Sequence, residues 1–411
     1  MTGSTGGHHG AWAPLRHRDF ALLWVAGLVS NIGSWMHDTA GSWFMATLDP
    51  TPYMVAMVQA ANTLPVCLLA LPAGTLADRM DRRRLLLLVQ WLMLVLAAVL
   101  GTLVLLGRAG EMTLIAITLG TGACVAVMSP TWQSIIPRLV PAKDLQPAVA
   151  LHAVGINISR AIGPAIGGVI IATLGVAWPF LINAASFLAV IAALWLWRPA
   201  PAPPRTTPPP AFMAALREGL THAAGNRALK NTLLRSALFY VFGSCYWALL
   251  PLIARQQLSG GPKLFGILVG SIGVGAVAGA LILPRLRARF GLDRVLVIGT
   301  VGTAAALAGF ALFRMPALGI AAALLAGASW IAALSSLNVA AQLAVPDWVR
   351  ARGMALYTTV FYGCLAAGSL AWGQIATDLG LSTTLWAAAF GALLAMLGSR
   401  KLHLQPAISI T

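Results

Sequence analysis

Twelve long apolar runs, separated by short segments that are mostly basic, constrain this chain more than any other feature. A helix needs about 20 mostly apolar residues to cross the hydrocarbon core of a bilayer. Runs of that kind fall at 20–47, 54–77, 85–107, 113–135, 147–174 and 178–197, then at 231–254, 264–284, 295–313, 317–344, 353–377 and 383–399. Only 9% of the 411 residues are charged, against about 25% in soluble proteins, so the runs have no polar face with which to meet water. The expected fold class is therefore an all-α polytopic membrane protein with twelve transmembrane helices. Cys67, Cys124, Cys245 and Cys364 lie far apart in apolar runs and form neither a disulfide framework nor a CxxC pair.

The formal charge of +16 would suggest nucleic acid as a partner in a soluble chain. Here the basic residues sit in clusters between the runs, which is a topology pattern, and no nucleic-acid partner is expected. With the N-terminus inside, 22 lysines and arginines fall on the cytoplasmic side, among them Arg16, Arg18, Arg79, Arg82, Arg83, Arg84, Arg285, Arg287, Arg289 and Arg294. Only four, Arg108, Arg255, Lys263 and Arg314, fall on the other side. This asymmetry predicts that both termini are cytoplasmic. The first eighteen residues lead into a 28-residue apolar stretch, too long for a signal-peptide core. His8 and His9 are too few for a metal site, and no metal or other cofactor is expected.

Pro199 to Pro210 carries seven prolines in twelve residues and reads as an extended spacer. FMAALREGLTHAAG follows and reads as an amphipathic helix on the inner surface. Three units result: a six-helix bundle over 1–198, a linker over 199–230 and a second six-helix bundle over 231–411. The halves are related by one offset of 205 residues, which carries Leu174-Gly175 onto Leu379-Gly380, Gly163 onto Gly368, Ala73-Gly74 onto Ala278-Gly279, and Arg82 onto Arg287. Parallel six-helix repeats are one of the known transporter plans.

Gly74-Thr-Leu-Ala-Asp78-Arg-Met-Asp-Arg82-Arg83-Arg84 resembles the signature loop of the major facilitator superfamily, roughly G-x-L-a-D-r-x-G-r-[RK]. It departs once, at Asp81, where a glycine is usual; the enterobactin-exporter-like branch often has an acid there. SNIGSWMHDTAGSW, RAIGPAIGGVIIATLGVAW, LPRLRARFG and VPDWVRARGMAL point the same way. The resemblance implies the twelve-helix major facilitator fold and a latch between the halves formed by Asp78 with Arg79, Arg82 and Arg83. The second-half copy has Leu283 in place of Asp78. Gly163-Pro164-Ala-Ile-Gly167-Gly168 resembles the tail of an exporter motif. Small residues four apart also let helix backbones approach, with Gly266, Gly270, Gly275 and Gly279 of span eight as the matching surface.

Two strongly ionisable residues lie well inside spans, Asp38 and Arg160. A charge at mid-bilayer costs at least about 2.5–3.5 kcal/mol, so such a residue faces a cavity and has a function. Asp38 shares a helical face with Asn31, Ser34 and Met45, and Arg160 with Asn157, Ala153 and Pro164. An arginine spans the gap of about 7 Å between their depths if spans one and five are neighbours. Asp38 with Arg160 is the expected proton-coupling pair; a static structural pair is the rival reading. His37 points about 100° away and is expected to pack.

By the superfamily plan, spans one, four, seven and ten line the path. The expected cavity residues are Asn31, Ser34, Trp132, Gln133, Asn157, Tyr240, Ser244, Trp247, Trp330 and Asn338, with Tyr362 from span eleven. Tyr240, Ser244 and Trp247 form one helical stripe, and aromatic rings with a polar edge suit an amphipathic ligand. No GxSxG, HExxH, Walker A or GxGxxG motif is present, so no enzyme activity is expected. The expected function is proton-driven export of a small amphipathic molecule, a siderophore or a drug-like compound, across a bacterial inner membrane. The export direction comes from the resemblance alone. Lipid or lysolipid transport, or a non-transporting scaffold or sensor on the same fold, are the alternatives. The expected partners are the small-molecule substrate and the bilayer; a monomer is compatible with these features, which leave oligomeric state open.

Overall fold

The computed structural model describes residues 12–197, 225–346 and 349–404, apart from the side chains of residues 71, 74, 75, 77–79 and 351. The Pro-rich spacer and the expected amphipathic helix fall outside these residues. A chain in lipid must satisfy its backbone hydrogen bonds internally, and here it does so as helices. The first half holds α1 (Arg18–Leu48), α2 (Pro52–Arg79), α3 (Arg82–Leu105), α4 (Glu111–Leu139), α5 (Leu145–Leu174) and α6 (Ala177–Leu196). The second holds α7 (Arg227–Leu252), α8 (Pro262–Leu312), α9 (Pro316–Leu343), α10 (Arg350–Leu379) and α11 (Leu381–Gly398). Trp91, Trp195 and Phe390 stand exposed on this bundle, as rings that meet lipid do.

Among the described residues these eleven helices supply twelve crossings, because α8 is two spans in one. Its 51 residues would reach about 77 Å if straight, more than twice the bilayer core. Gly291 breaks it with φ 75° and ψ 171°, a conformation that a residue with a side chain resists. The arms 262–290 and 292–312 are spans eight and nine. The expected loop between them, LPRLRARFG, is thus helical up to its final glycine. Leu, Arg and Ala are strong helix formers; Pro284 is carried inside the first arm, and the one residue with non-helical angles is Gly291.

Local chemistry sets the other boundaries. Asp81 is the N-cap of α3, its side chain accepting from Arg84 N at 2.9 Å. The acid at the departure from the signature therefore starts a helix. Asn226 caps α7 by accepting from Leu229 N at 3.0 Å, and donates to Ala344 O at 2.6 Å. Gly175 and Gly380, 205 residues apart, end α5 and α10 with φ of 102° and 82°. The repeat is visible at this level of detail. Arg82 donates to Ser134 O on α4 at 3.0 Å, and Arg287, its partner at the same offset, donates to Ser335 Oγ on α9 at 2.6 Å.

The helix ends that carry the arginine clusters lie together at what we term the basic end. There His17 Nε2 meets Asp144 Oδ2 at 2.8 Å, and Arg83 donates to Leu194 O and Trp195 O at 2.7 and 2.9 Å, closing the C-terminus of α6. Arg235 pairs with Asp293 and donates to Leu402 O at 3.0 Å. Within the first half α1 packs on α5 and α6, α2 on α4, and α3 on α6; within the second, α7 packs on α10 and α11, and both arms of α8 on α9.

Two seams join the halves, α2 against α10 and α5 against the 262–290 arm. Both are packed at the end away from the arginines. Tyr53 N donates to Thr377 Oγ1 at 3.2 Å, Arg255 reaches Ala46 O from the π-helical last turn of α7, and Trp43 stacks on Phe265 at 5.9 Å. A Cβ on Gly168 would lie 2.6 Å from Pro262 O, and one on Gly266 2.9 Å from Gly168 Cα. The expected small-residue surface is thus partly corrected. Gly266, Gly270 and Gly273 face α5, whereas Gly275 and Gly279 face Leu324 and Ala328 of α9. On α5, Gly163 and Gly167 admit Ile32, Trp35 and Met36 of α1, Pro164 O lies against Gly266, and Gly168 alone of the three glycines meets the second half.

Candidate functional site

A cavity of about 560 Å³ lies between the halves at mid-depth, within the range of small-molecule sites. Its walls differ in chemistry. The first half supplies the polar wall: Asn31, Ser34 and Asp38 of α1, Gln59 and Asn62 of α2, Thr118, Thr121 and Ser129 of α4, and Arg160 of α5. The second half supplies the aromatic wall, with Trp247, Phe265, Trp330, Phe361 and Tyr362. Phe361 stands edge-on to both Tyr240 and Tyr362, with centroids 4.5 and 4.7 Å apart, and Trp247 to Trp330 at 5.8 Å.

Asp38 is exposed to this cavity, with Asn62 beside its carboxylate. Arg160 is not its ion-pair partner. The guanidinium instead lies 5.2 Å from the Trp35 ring centroid and within electrostatic reach of Tyr246 and Tyr362 across the seam. The expected contact fails because the arginine side chain, long enough for either direction, follows the aromatic face. Between described residues the ion pairs are His17–Asp144 and Arg235–Asp293, both at the basic end. The cavity therefore holds one carboxylate and one guanidinium, and neither neutralises the other. His37, buried at 6% exposure, sets its ring edge-on to Phe180 of α6 at 4.8 Å.

Of the residues expected in the cavity, Asn31, Ser34, Trp247, Trp330 and Tyr362 line it. Trp132 lines a small adjoining pocket with Asn31 and stacks on His152 at 6.4 Å. Gln133 is exposed near the basic end of α4. Asn157 donates to Ala153 O at 2.8 Å in its own helix, and Asn338 accepts from Gln342 at 2.6 Å. Tyr240 and Ser244 are fully buried within the second half, Tyr240 sharing a hydrogen bond with Tyr357 at 2.8 Å and Ser244 donating to Val241 O at 2.7 Å. The stripe on α7 thus faces its own half at two of three positions.

Asp78 and Arg79 of the expected latch have side chains outside the described residues. Arg82 and Arg83 hold carbonyls of α4 and α6 in the first half. Leu283, at the position matching Asp78, is buried against Val295 and Ala332. Sequence reasoning missed the α2 contribution and, on α4, named Trp132 and Gln133 where Thr118, Thr121 and Ser129 line the cavity. Gln59 and Asn62, three apart, and Thr118 and Thr121, three apart, are polar positions on one face of apolar helices. That spacing is the signal that finds them.

The fold matches that of known transporters. The nucleoside transporter NupG, in its D323A form, superposes with a TM-score of 0.77 over 94% of this chain and all of that one, at 13% identity, which shows the fold. The staphyloferrin A transporter of Staphylococcus aureus (strain NCTC 8325 / PS 47) is 29% identical over 265 residues, 64% of this chain and 66% of that one. The enterobactin exporter EntS of Salmonella typhimurium is 28% identical over 267 residues, 64% of this chain and 62% of that one. The match thus spans less than two thirds of the length of these relatives. Both relatives and the structural neighbour are transporters, not enzymes. Residues 9–409 match the family described as transmembrane secretion effectors, so nearly the whole of this twelve-crossing chain, cavity included, belongs to that family of major facilitator transporters.

Proposed function

We propose that this chain is a secondary active exporter, exchanging protons for a small amphipathic molecule across a bacterial inner membrane. The observation that carries the reading is Asp38, a carboxylate open to a cavity at membrane depth and joined to no basic residue among those described. A group so placed costs stability and is retained where ions or protons move. The names of the two sequence relatives support a siderophore as cargo over a drug-like compound. The arginine clusters support placing the basic end, and with it both termini, in the cytoplasm. The cavity is complete within one chain, which supports a monomeric transporter. Asp78 and Arg79 join Arg82 and Arg83 as the latch; the last two already hold the α4 and α6 ends on which such a latch would close. One proton moving through about 150 mV yields roughly 3.5 kcal/mol, enough for a gradient of about 300-fold.

Proteoliposomes test the coupling. Purified protein is given an imposed pH gradient and a panel of catechol and hydroxamate chelators, lipophilic cations and lysolipids, with internal pH read by a dye. Wild type is expected to move protons only when its cargo is present, and Asp38→Asn to lose gradient-driven transport while still binding that cargo. Transport that survives in Asp38→Asn removes the coupling role. A wild type that moves none of the panel favours a scaffold or sensor.

A further inference from the structure

We propose that Arg160 is the anchor of an anion-binding subsite, which takes the oxyanion of an aromatic ligand at the seam between the halves. Arg160 Nε, enclosed at this part of the cavity, has no hydrogen-bond partner, and the enclosed hydroxyl of Tyr246 lies beside Trp247 Nε1 and within electrostatic reach of the guanidinium. A guanidinium nitrogen only donates, so what completes Arg160 is an acceptor. Arg160 carries full charge, and a charged acceptor that meets two donors from a planar fork makes the stronger bond. Asp38 does not supply that acceptor, because the guanidinium turns away from it toward Trp35, Tyr246 and Tyr362.

The surroundings specify the rest of the ligand. Trp35 covers one side of the guanidinium, which fixes its plane. Trp247, Trp330, Phe361 and Tyr362 flank the space beyond it. A carboxylate or phenolate on an aromatic ring meets both demands, charge at one edge and a flat apolar body. An aliphatic polyanion meets only the first, and a lipophilic cation meets only the second and is repelled by Arg160. Arg160 belongs to the first half, and Tyr246 and Tyr362 beside it belong to the second, so a ligand held at Arg160 touches both halves. As an account of cargo this rests on the exporter reading; as a binding site it stands on the geometry.

The test measures binding of salicylate, citrate and tetraphenylphosphonium to purified wild type by calorimetry, with tryptophan quenching in parallel. The same series is run on Arg160→Met and Arg160→Lys. Salicylate is expected to bind tighter than citrate, to lose at least tenfold in affinity in Arg160→Met, and to recover part of that loss in Arg160→Lys, which keeps the charge without the fork. Benzyl alcohol, similar in shape but neutral, is expected to bind wild type and Arg160→Met within twofold of each other, which also reports that the variant is folded. No saturable salicylate binding by wild type, or equal affinity in Arg160→Met, overturns the subsite. Failure of Asp38→Asn to affect transport overturns the coupled-exporter reading and leaves this binding result unchanged, so the two proposals fail separately.

Discussion

Single side chains here decide where helices begin and what the cavity offers. Asp81 occupies a position where the superfamily loop usually has glycine, and its carboxylate holds Arg84 N at the start of α3. Asp81→Ala is expected to cost about 1 kcal/mol and Asp81→Gly only a few tenths, because glycine is tolerated as a cap; thermal melting in detergent orders the two variants. Asp38 was legible in the sequence because an acid in an apolar run is too costly to keep for packing alone. Asn62 and Gln59 were not, because uncharged amides in a span carry a weaker signal and the superfamily plan does not place α2 on the path. The direction taken by Arg160 was not legible either. Spacing fixes the face of a helix, whereas the end of a long side chain is placed by whichever aromatic or acid lies within its radius.

At the scale of elements, close backbone approach and one kink organise the second seam. Gly168→Leu is expected to force α5 from the 262–290 arm, at a cost of about 1–3 kcal/mol, and so to open the end away from the arginines. A Ser42→Cys reporter on the cavity wall, in a chain otherwise free of cysteine, should then react faster with a membrane-impermeant thiol reagent applied from that side. Gly163→Ala, which meets Trp35 and Ile32 of α1, should lower the melting temperature without that gain in labelling. Gly291→Ala is strained by its positive φ and has nothing within 4 Å to blame for crowding; a loss of about 1–3 kcal/mol in thermal stability is expected. The offset of 205 residues made the Gly175 and Gly380 helix ends legible, since both are leucine–glycine steps at the end of an apolar run. The continuity of α8 was hidden, because arginines between apolar runs read as a loop while having the intrinsic preference of a helix.

At the scale of the whole molecule, the two halves share a plan and divide the chemistry. Arg82 and Arg287 perform the same tethering in each, yet the amides and both charges on the cavity wall come from the first half, and most of its rings from the second. The apolar runs that become the crossings could be counted from the sequence, whereas this division could not, since it depends on how each helix is rotated. The charge asymmetry makes a topological prediction. With native cysteines replaced, Arg108→Cys should react with an impermeant thiol reagent added to intact cells, and Arg289→Cys only after the membrane is opened; the reverse pattern would invert the molecule. The Gly168–Gly266 contact also bears on how the lineage of this chain can vary. Most crowded sites in proteins drift by exchange, one residue growing as its neighbour shrinks. Here both partners are already the smallest residue, so neither can shrink to make room for the other. Descendants that keep the seam must keep both glycines, and one that loses either must find a different way to hold its halves together.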